Sequence, residues 1–290
     1  MTINSPRPCR AVNPSACPYH GAMLRMDDAL ANRDMKAYLV AKTDFDKAAE
    51  AKKQAVFNEI LFPAQEVLPT TPADASYEYV GVKMTNEDGV VLYRIRARRD
   101  IPTAGVKKGD IGGWVDPTPP LGGLDRISWE AWVSVGAQLY GNARITGHAR
   151  VCGHARVYGN ARISHHASVD GYAKVYGYAT VKEDASVDGN ADVSGSAVIC
   201  DSAEVYDGAK ISGNAHVGMV AKVYGRAWVT QNANISDSAK VSGNAQISGE
   251  AKVCDDAKVY GDAHISGNSK VYGNAEVYES DTIENTILFK

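Results

Sequence analysis

The side chains able to do acid–base or metal chemistry are few, seven histidines and five cysteines in 290 residues. His148, His154 and His166 fall in one short stretch. An imidazole there could serve as a general base or a metal ligand, because its ordinary pKa lies near neutrality. Cys9, Cys17 and His20 form a second group, spaced Cys-x7-Cys-Pro-Tyr-His. These are zinc-ligand types, but they are three where a structural zinc takes four. Two readings stay open: a zinc site at the N-terminus, or a tethered tail with two free thiols.

What positions the histidines is a repeat. From Ile127 to Ile283 the chain recurs every six residues, as in Val157-Tyr158-Gly159-Asn160-Ala161-Arg162. One slot is a branched aliphatic (Val133, Leu139, Ile145, Val151 and onward). The slot two residues earlier is Ala, with Ser269 the exception. Such a spacing makes no stripe at 3.6 residues per turn. It fits two-residue strands whose alternate side chains point inward. Gly fills most slots two after the aliphatic, and Asp201, Asp207, Asp237 and Asp255 replace it elsewhere. Gly and Asp tolerate turn geometry with positive φ. Three units make one coil of a parallel β-helix, so residues eighteen apart stack about 4.8 Å from each other. His148 and His166 therefore lie one above the other, with His154 one corner on and Tyr172 over it.

The same arithmetic builds ladders on the outside. Tyr140, Tyr158 and Tyr176 share one face. Tyr206 and Tyr224, then Tyr260 and Tyr278, share another. Arg144 with Arg162, and Lys222 with Lys240 and Lys258, form basic ladders. Tyrosine is amphipathic and enriched at interfaces, so the tyrosines are candidate interface residues. Stacking between rungs explains them equally well. Cys152, Cys200 and Cys254 occupy one outward slot on two different faces and do not align for a shared metal.

Before the repeat, residues 1–26 are an irregular Cys/His leader. Residues 27–61 read as helix, capped by Asp27 or Asp28, with Asp44-Phe45-Asp46 the point at which it would break or bend. That helix either packs on the end of the β-helix or joins copies of the chain. Residues 62–76 read as an extended Pro/Thr linker. Residues 77–126 hold a hairpin turning at Asn86-Glu87-Asp88-Gly89, then Gly112-Gly113-Trp114. There Trp114, Trp129 and Trp132 are expected to plug the open end of the coils, which would otherwise offer unpaired edges. Residues 127–283 are the repeat. In 284–290, Thr286-Ile287-Leu288-Phe289 is expected to fold over the last coil.

Net charge is −3, which favours neither nucleic acid nor an anionic membrane. No apolar run of eighteen exists, and the first ten residues are polar. The odd, scattered cysteines fit a reducing compartment. A cytoplasmic protein is expected, without nucleic-acid or membrane partners.

The aliphatic slot with a small residue four later, as Val157 and Ala161, resembles the hexapeptide-repeat left-handed β-helix family. Arg98-Arg99-Asp100-Ile101, then Lys108-Gly109-Asp110-Ile111-Gly112-Gly113-Trp114-Val115, then many Gly-Asn-Ala-Arg units, are similar to the YdcK-like proteins of bacteria and phages. The resemblance implies the fold: a single-stranded left-handed parallel β-helix with eighteen residues per coil, preceded by a helical region and a hairpin cap. It also implies a homotrimer. For function it leaves two readings, a rigid scaffold or interaction protein, and an acyltransferase using acyl-CoA with His148, His154 or His166 at a subunit junction. The unbroken coils speak for the scaffold. No cofactor is implied beyond zinc at the leader and acyl-CoA under the second reading. End-to-end polymers are disfavoured if both ends are capped.

Overall fold

The computed structural model describes residues 25–26, 35–61, 68–121 and 125–290. The chain divides into two units, 1–67 and 68–290. Cys9, Cys17 and His20, and the expected helix start at residues 27–34, lie outside the described residues. In the first unit, α1 (Met35–Leu61) runs unbroken through Asp44-Phe45-Asp46. Arg25 pairs with Asp44 at 3.2 Å. No helix among the described residues is long and apolar enough to cross a membrane.

The second unit is a three-sided β-solenoid. Its strands are mostly two residues long, and each pairs in parallel with the strand eighteen residues away, as Val151 pairs with Val169 and Val169 with Val187. Three sheets result, of 12, 9 and 9 strands. Sheet I contains β5 (Gln138–Leu139), sheet II starts at β4 (Trp132–Val133) and sheet III starts at β6 (Arg144–Ile145). The Ala and aliphatic slots face inward, and from Ala131 to Val277 the exposure of these side chains is 0–1%. Each buried Val or Ile contributes about 1.5–3 kcal/mol relative to exposure. Between rungs, Arg150 N–H donates to Ala167 O at 3.0 Å and Cys152 N–H to Val169 O at 2.8 Å. The pattern repeats coil after coil, so the backbone's polar groups are satisfied by neighbours above and below.

The hairpin forms as the sequence implies. β1 (Tyr77–Thr85) and β2 (Val91–Ala97) are antiparallel. Asn86 Oδ1 accepts the N–H groups of Asp88 and Val90 within the turn. β3 (Ile111–Val115) then joins two kinds of sheet: it is antiparallel to β2 and parallel to β5. Val115 sits beside Leu139 in the aliphatic column. The cap is thus a continuation of sheet I. Gly112 and Gly113 are required by crowding, not by positive φ. A Cβ on Gly113 would lie 2.6 Å from the carbonyl oxygens of Ser134 and Ala137, and one on Gly112 would meet the Trp132 ring at 2.6 Å.

Several expectations change. Of the three tryptophans, only Trp132 is buried. Trp114 points outward, with the Arg94 guanidinium 4.2 Å over its ring. Trp129 is 75% exposed because it occupies a turn slot with φ 66°, where the side chain projects away from the prism. The described part of the Pro/Thr linker, residues 68–76, is held by hydrogen bonds: Ala75 N–H donates to Pro72 O, and Arg98 donates to the same oxygen at 2.9 Å. The segment after the cap is clipped by Arg126, a buried cation that donates to Thr118 O at 2.5 Å and Ala143 O at 3.3 Å and lies 3.6 Å from Asp116. A charge so placed needs such partners.

At the far end, Ile287–Phe289 does not fold over the last coil. It lies as a further parallel strand of sheet III. Leu288 takes the aliphatic slot beside Val271, and the Phe289 ring packs on Tyr272 at 4.9 Å. That step is seventeen residues instead of eighteen. Ser269, the exception in the Ala column, is buried there, and its hydroxyl donates to Ser266 O at 2.7 Å.

Gly113→Ala should therefore cost about 1–3 kcal/mol by overpacking. Hydrogen exchange should speed up in β1–β3 and leave the coils beyond Val151 protected. Uniform loss across all coils would show that the cap is not a separate unit of stability.

Candidate functional site

The prism has three edges, and the side chains able to do chemistry are sorted among them by position in the repeat. The edge leaving sheet III holds Glu130, His148 and His166. The His148 and His166 rings stack with centroids 4.7 Å apart, and His148 Nδ1 lies 3.4 Å from Glu130 Oε2. His154 lies on the next edge, leaving sheet II, where it stacks on Tyr172 at 5.1 Å. The structure thus brings two of the three candidate histidines together and leaves the third on a different edge.

Tyrosine ladders form as spaced. Tyr140–Tyr158 and Tyr158–Tyr176 stack at 4.9 and 4.8 Å, nearly parallel, on the edge leaving sheet I. Tyr206–Tyr224 stack at 5.0 Å and Tyr260–Tyr278 at 5.6 Å on the edge leaving sheet II. Tyr140 differs from the rest because it is buried within the chain. Its hydroxyl donates to Asp88 Oδ2 at 2.6 Å, and Arg156 donates to that hydroxyl, to Asp88 and to Glu87. Burial and the Asp88 carboxylate raise the Tyr140 pKa. This network pins the β1–β2 turn onto sheet I. Further along that ladder Tyr158 and Tyr176 are half-buried.

Sequence reasoning missed a denser cluster, also on the edge leaving sheet III. Cys200 is buried, at 4% exposure. Its Sγ lies 3.2 Å from Asp201 Oδ2 and 3.4 Å from His216 Nε2. Asp201 N–H donates to Glu183 Oε2 at 2.7 Å, and Met219 N–H to Asp201 Oδ2 at 2.9 Å. Burial first, and then the Asp201 carboxylate, push the Cys200 thiol up to about 12. The Met219 N–H, with the Cys200 thiol, holds Asp201 below its ordinary value. Part of this is structural logic. An acid or amide in the turn slot accepts the N–H of the turn residue one coil on, as Asp207 does from Gly225, Gln231 from Gly249 and Asp255 from Gly273. The readable signal was arithmetic: Gly218 follows Cys200 by eighteen residues, and His216 by sixteen.

The family model of the YdcK β-solenoid repeat matches residues 137–153, 149–165 and 155–171. The chain carries YdcK β-solenoid repeats. The matched span includes the stacked histidines and the Tyr140–Tyr158 pair, and the solenoid geometry extends well beyond it on both sides. Among curated proteins, none matches the chain. The YdcK repeat model covers the coils between residues 137 and 171, while the Arg156–Tyr140–Asp88 network fastens this chain's hairpin to them.

Tyr140→Phe should lower stability by about 1–2 kcal/mol through the loss of a buried, charge-assisted hydrogen bond. Tyr172→Phe, on an exposed ring, should change it little. Equal melting shifts for both would contradict the pinning role.

Proposed function

We propose that this protein is a rigid interaction scaffold that assembles as a homotrimer through its tyrosine-lined edges. The observation that carries this reading is the unbroken eighteen-residue register: every strand from β4 to β28 (Glu276–Val277) pairs with its neighbour without an inserted loop. Enzyme sites need a concave, water-excluding place with convergent polar groups. No inserted loop rises from the coils between β4 and β28 to enclose such a place. Stacked tyrosines offer apolar area with a polar tip and little rotamer entropy to lose, which suits them to an interface. Tyr206, Tyr224, Tyr260 and Tyr278 line up on one edge beside the Lys222–Glu204 and Lys258–Glu276 pairs, at 2.9 Å each. These pairs would form the polar rim.

Light scattering on the full chain tests this reading. A mass three times that of the 31.0 kDa chain is expected, and Tyr224→Asp with Tyr260→Asp should reduce it to one. A monomer in the unaltered protein would sink the assembly.

A second reading has one specific observation behind it. Glu130 beside His148, with His166 stacked above, is a carboxylate–imidazole arrangement that could orient a general base. Under it the protein is an acyltransferase acting on acyl-CoA. Turnover of acyl-CoA that disappears in His148→Ala and persists in His154→Ala would favour it over the scaffold.

A further inference from the structure

We propose that Glu183, Cys200, Asp201 and His216 form a binding site for a zinc-class divalent metal ion on the edge leaving sheet III. One ligand atom from each of Glu183, Cys200 and Asp201 lies within 4.8 Å of the other two. The fourth, His216 Nε2, lies 3.4 Å from Cys200 Sγ. Sulfur, imidazole nitrogen and carboxylate oxygens are the donors zinc prefers. A tetrahedral centre with bonds of about 2.0–2.3 Å sets its ligands about 3.3–3.7 Å apart. The Sγ–Oδ2 and Sγ–Nε2 separations of 3.2 and 3.4 Å already approach that spacing.

Room for the ion comes from Gly218. At the equivalent slot other coils carry a side chain: Thr146, Ser164, Lys182, Ser236 and Cys254. A Cβ on Gly218 would stand 3.1 Å from Cys200 Sγ, 3.1 Å from Asp201 Oδ2 and 2.8 Å from His216 Cε1. The three donor groups therefore converge where this edge lacks a side chain. His216 Nδ1 is buried without a hydrogen-bond partner, so the ring's described polar contact is the one toward the sulfur. Lys182 Nζ holds the other Glu183 oxygen at 3.0 Å, which leaves Oε2 turned toward Asp201.

A related set recurs three coils on. Asp237, Cys254 and Asp255 repeat the acid–Cys–Asp pattern at the same offsets. It lacks a counterpart of His216, because Lys270 stands at that offset from Cys254. Tyr272, not glycine, stands at the slot equivalent to Gly218. The second set is thus an internal control. Binding replaces the Cys200 S–H bond by an S–metal bond and releases that proton to solvent, with no change of oxidation state.

The test is a cobalt(II) titration of the full chain carrying Cys9→Ser and Cys17→Ser, so that the leader thiols contribute nothing. Thiolate coordination to cobalt gives a near-ultraviolet charge-transfer band and visible d–d bands. One equivalent of cobalt should produce them, and zinc should bleach them. Cys200→Ser should abolish the charge-transfer band, and His216→Ala should weaken binding by more than about tenfold. Cys254→Ser should leave both unchanged. Circular dichroism of each variant checks that the β-solenoid persists. If Cys200→Ser perturbs folding, Glu183→Gln replaces it and should weaken binding in the same sense. A band that survives Cys200→Ser, or that vanishes with Cys254→Ser, would overturn the assignment, as would no band at millimolar cobalt.

Discussion

The constraint on which everything else rests is lateral pairing of strands too short to exist alone. A two-residue strand holds no stable structure by itself. It persists because both its backbone polar groups and its inward aliphatic side chain meet equivalents one coil above and below. Register is then set by the side-chain columns: slipping by one residue would turn Val and Ile outward and charged residues inward. The Ala column keeps the prism narrow enough for the aliphatic columns to fill it. The turn residues that look variable, Gly in most coils, acid or amide in many others, and Trp129, His165 and Met219 in three, share one task, reaching positive φ while the N–H of the next coil is satisfied. Where the turn residue is Asp or Gln, its side chain provides that acceptor directly. Stability in such an array behaves as a sum over nearest neighbours.

This explains what could be read from the sequence. The columns, the coil length and the stacking of His148 on His166 follow from a single period, and a period is visible without coordinates. Trp129 shows where attention to residue type misleads. Its chemistry suggested a plug, but its slot is a turn slot, and slot decides direction. Tyr140 shows the opposite limit. It belongs to the outer ladder by slot, yet it is buried, because a turn fifty residues earlier in the chain returns to cover it through Asp88 and Arg156. Nothing local to Tyr140 announces that contact. The same holds for Arg126, whose charge would argue for solvent and whose partners come from the segments on either side of it.

The cluster around Cys200 lies between these cases. Its members sit in three successive coils, so no contiguous motif appears. Lining the coils up by eighteen makes it legible, with a glycine falling where Cys200 has its neighbour. The solenoid has a general consequence here. Chemistry on its surface is written vertically, and spacings of sixteen to eighteen residues carry the meaning that i and i+4 carry on a helix. The capped N-terminal end and the strand added by Ile287–Phe289 are likewise built as extensions of the sheets.

The most direct test of the register account is deletion of one whole coil, residues 220–237, against deletion of half a coil, residues 220–228. The whole-coil deletion preserves every column and turn slot. The protein should keep its β-solenoid circular dichroism and a cooperative melt. The half-coil deletion places turn residues in the aliphatic columns and should abolish both. If the two deletions behaved alike, either both folding or both collapsing, the eighteen-residue register would not be what holds this structure together.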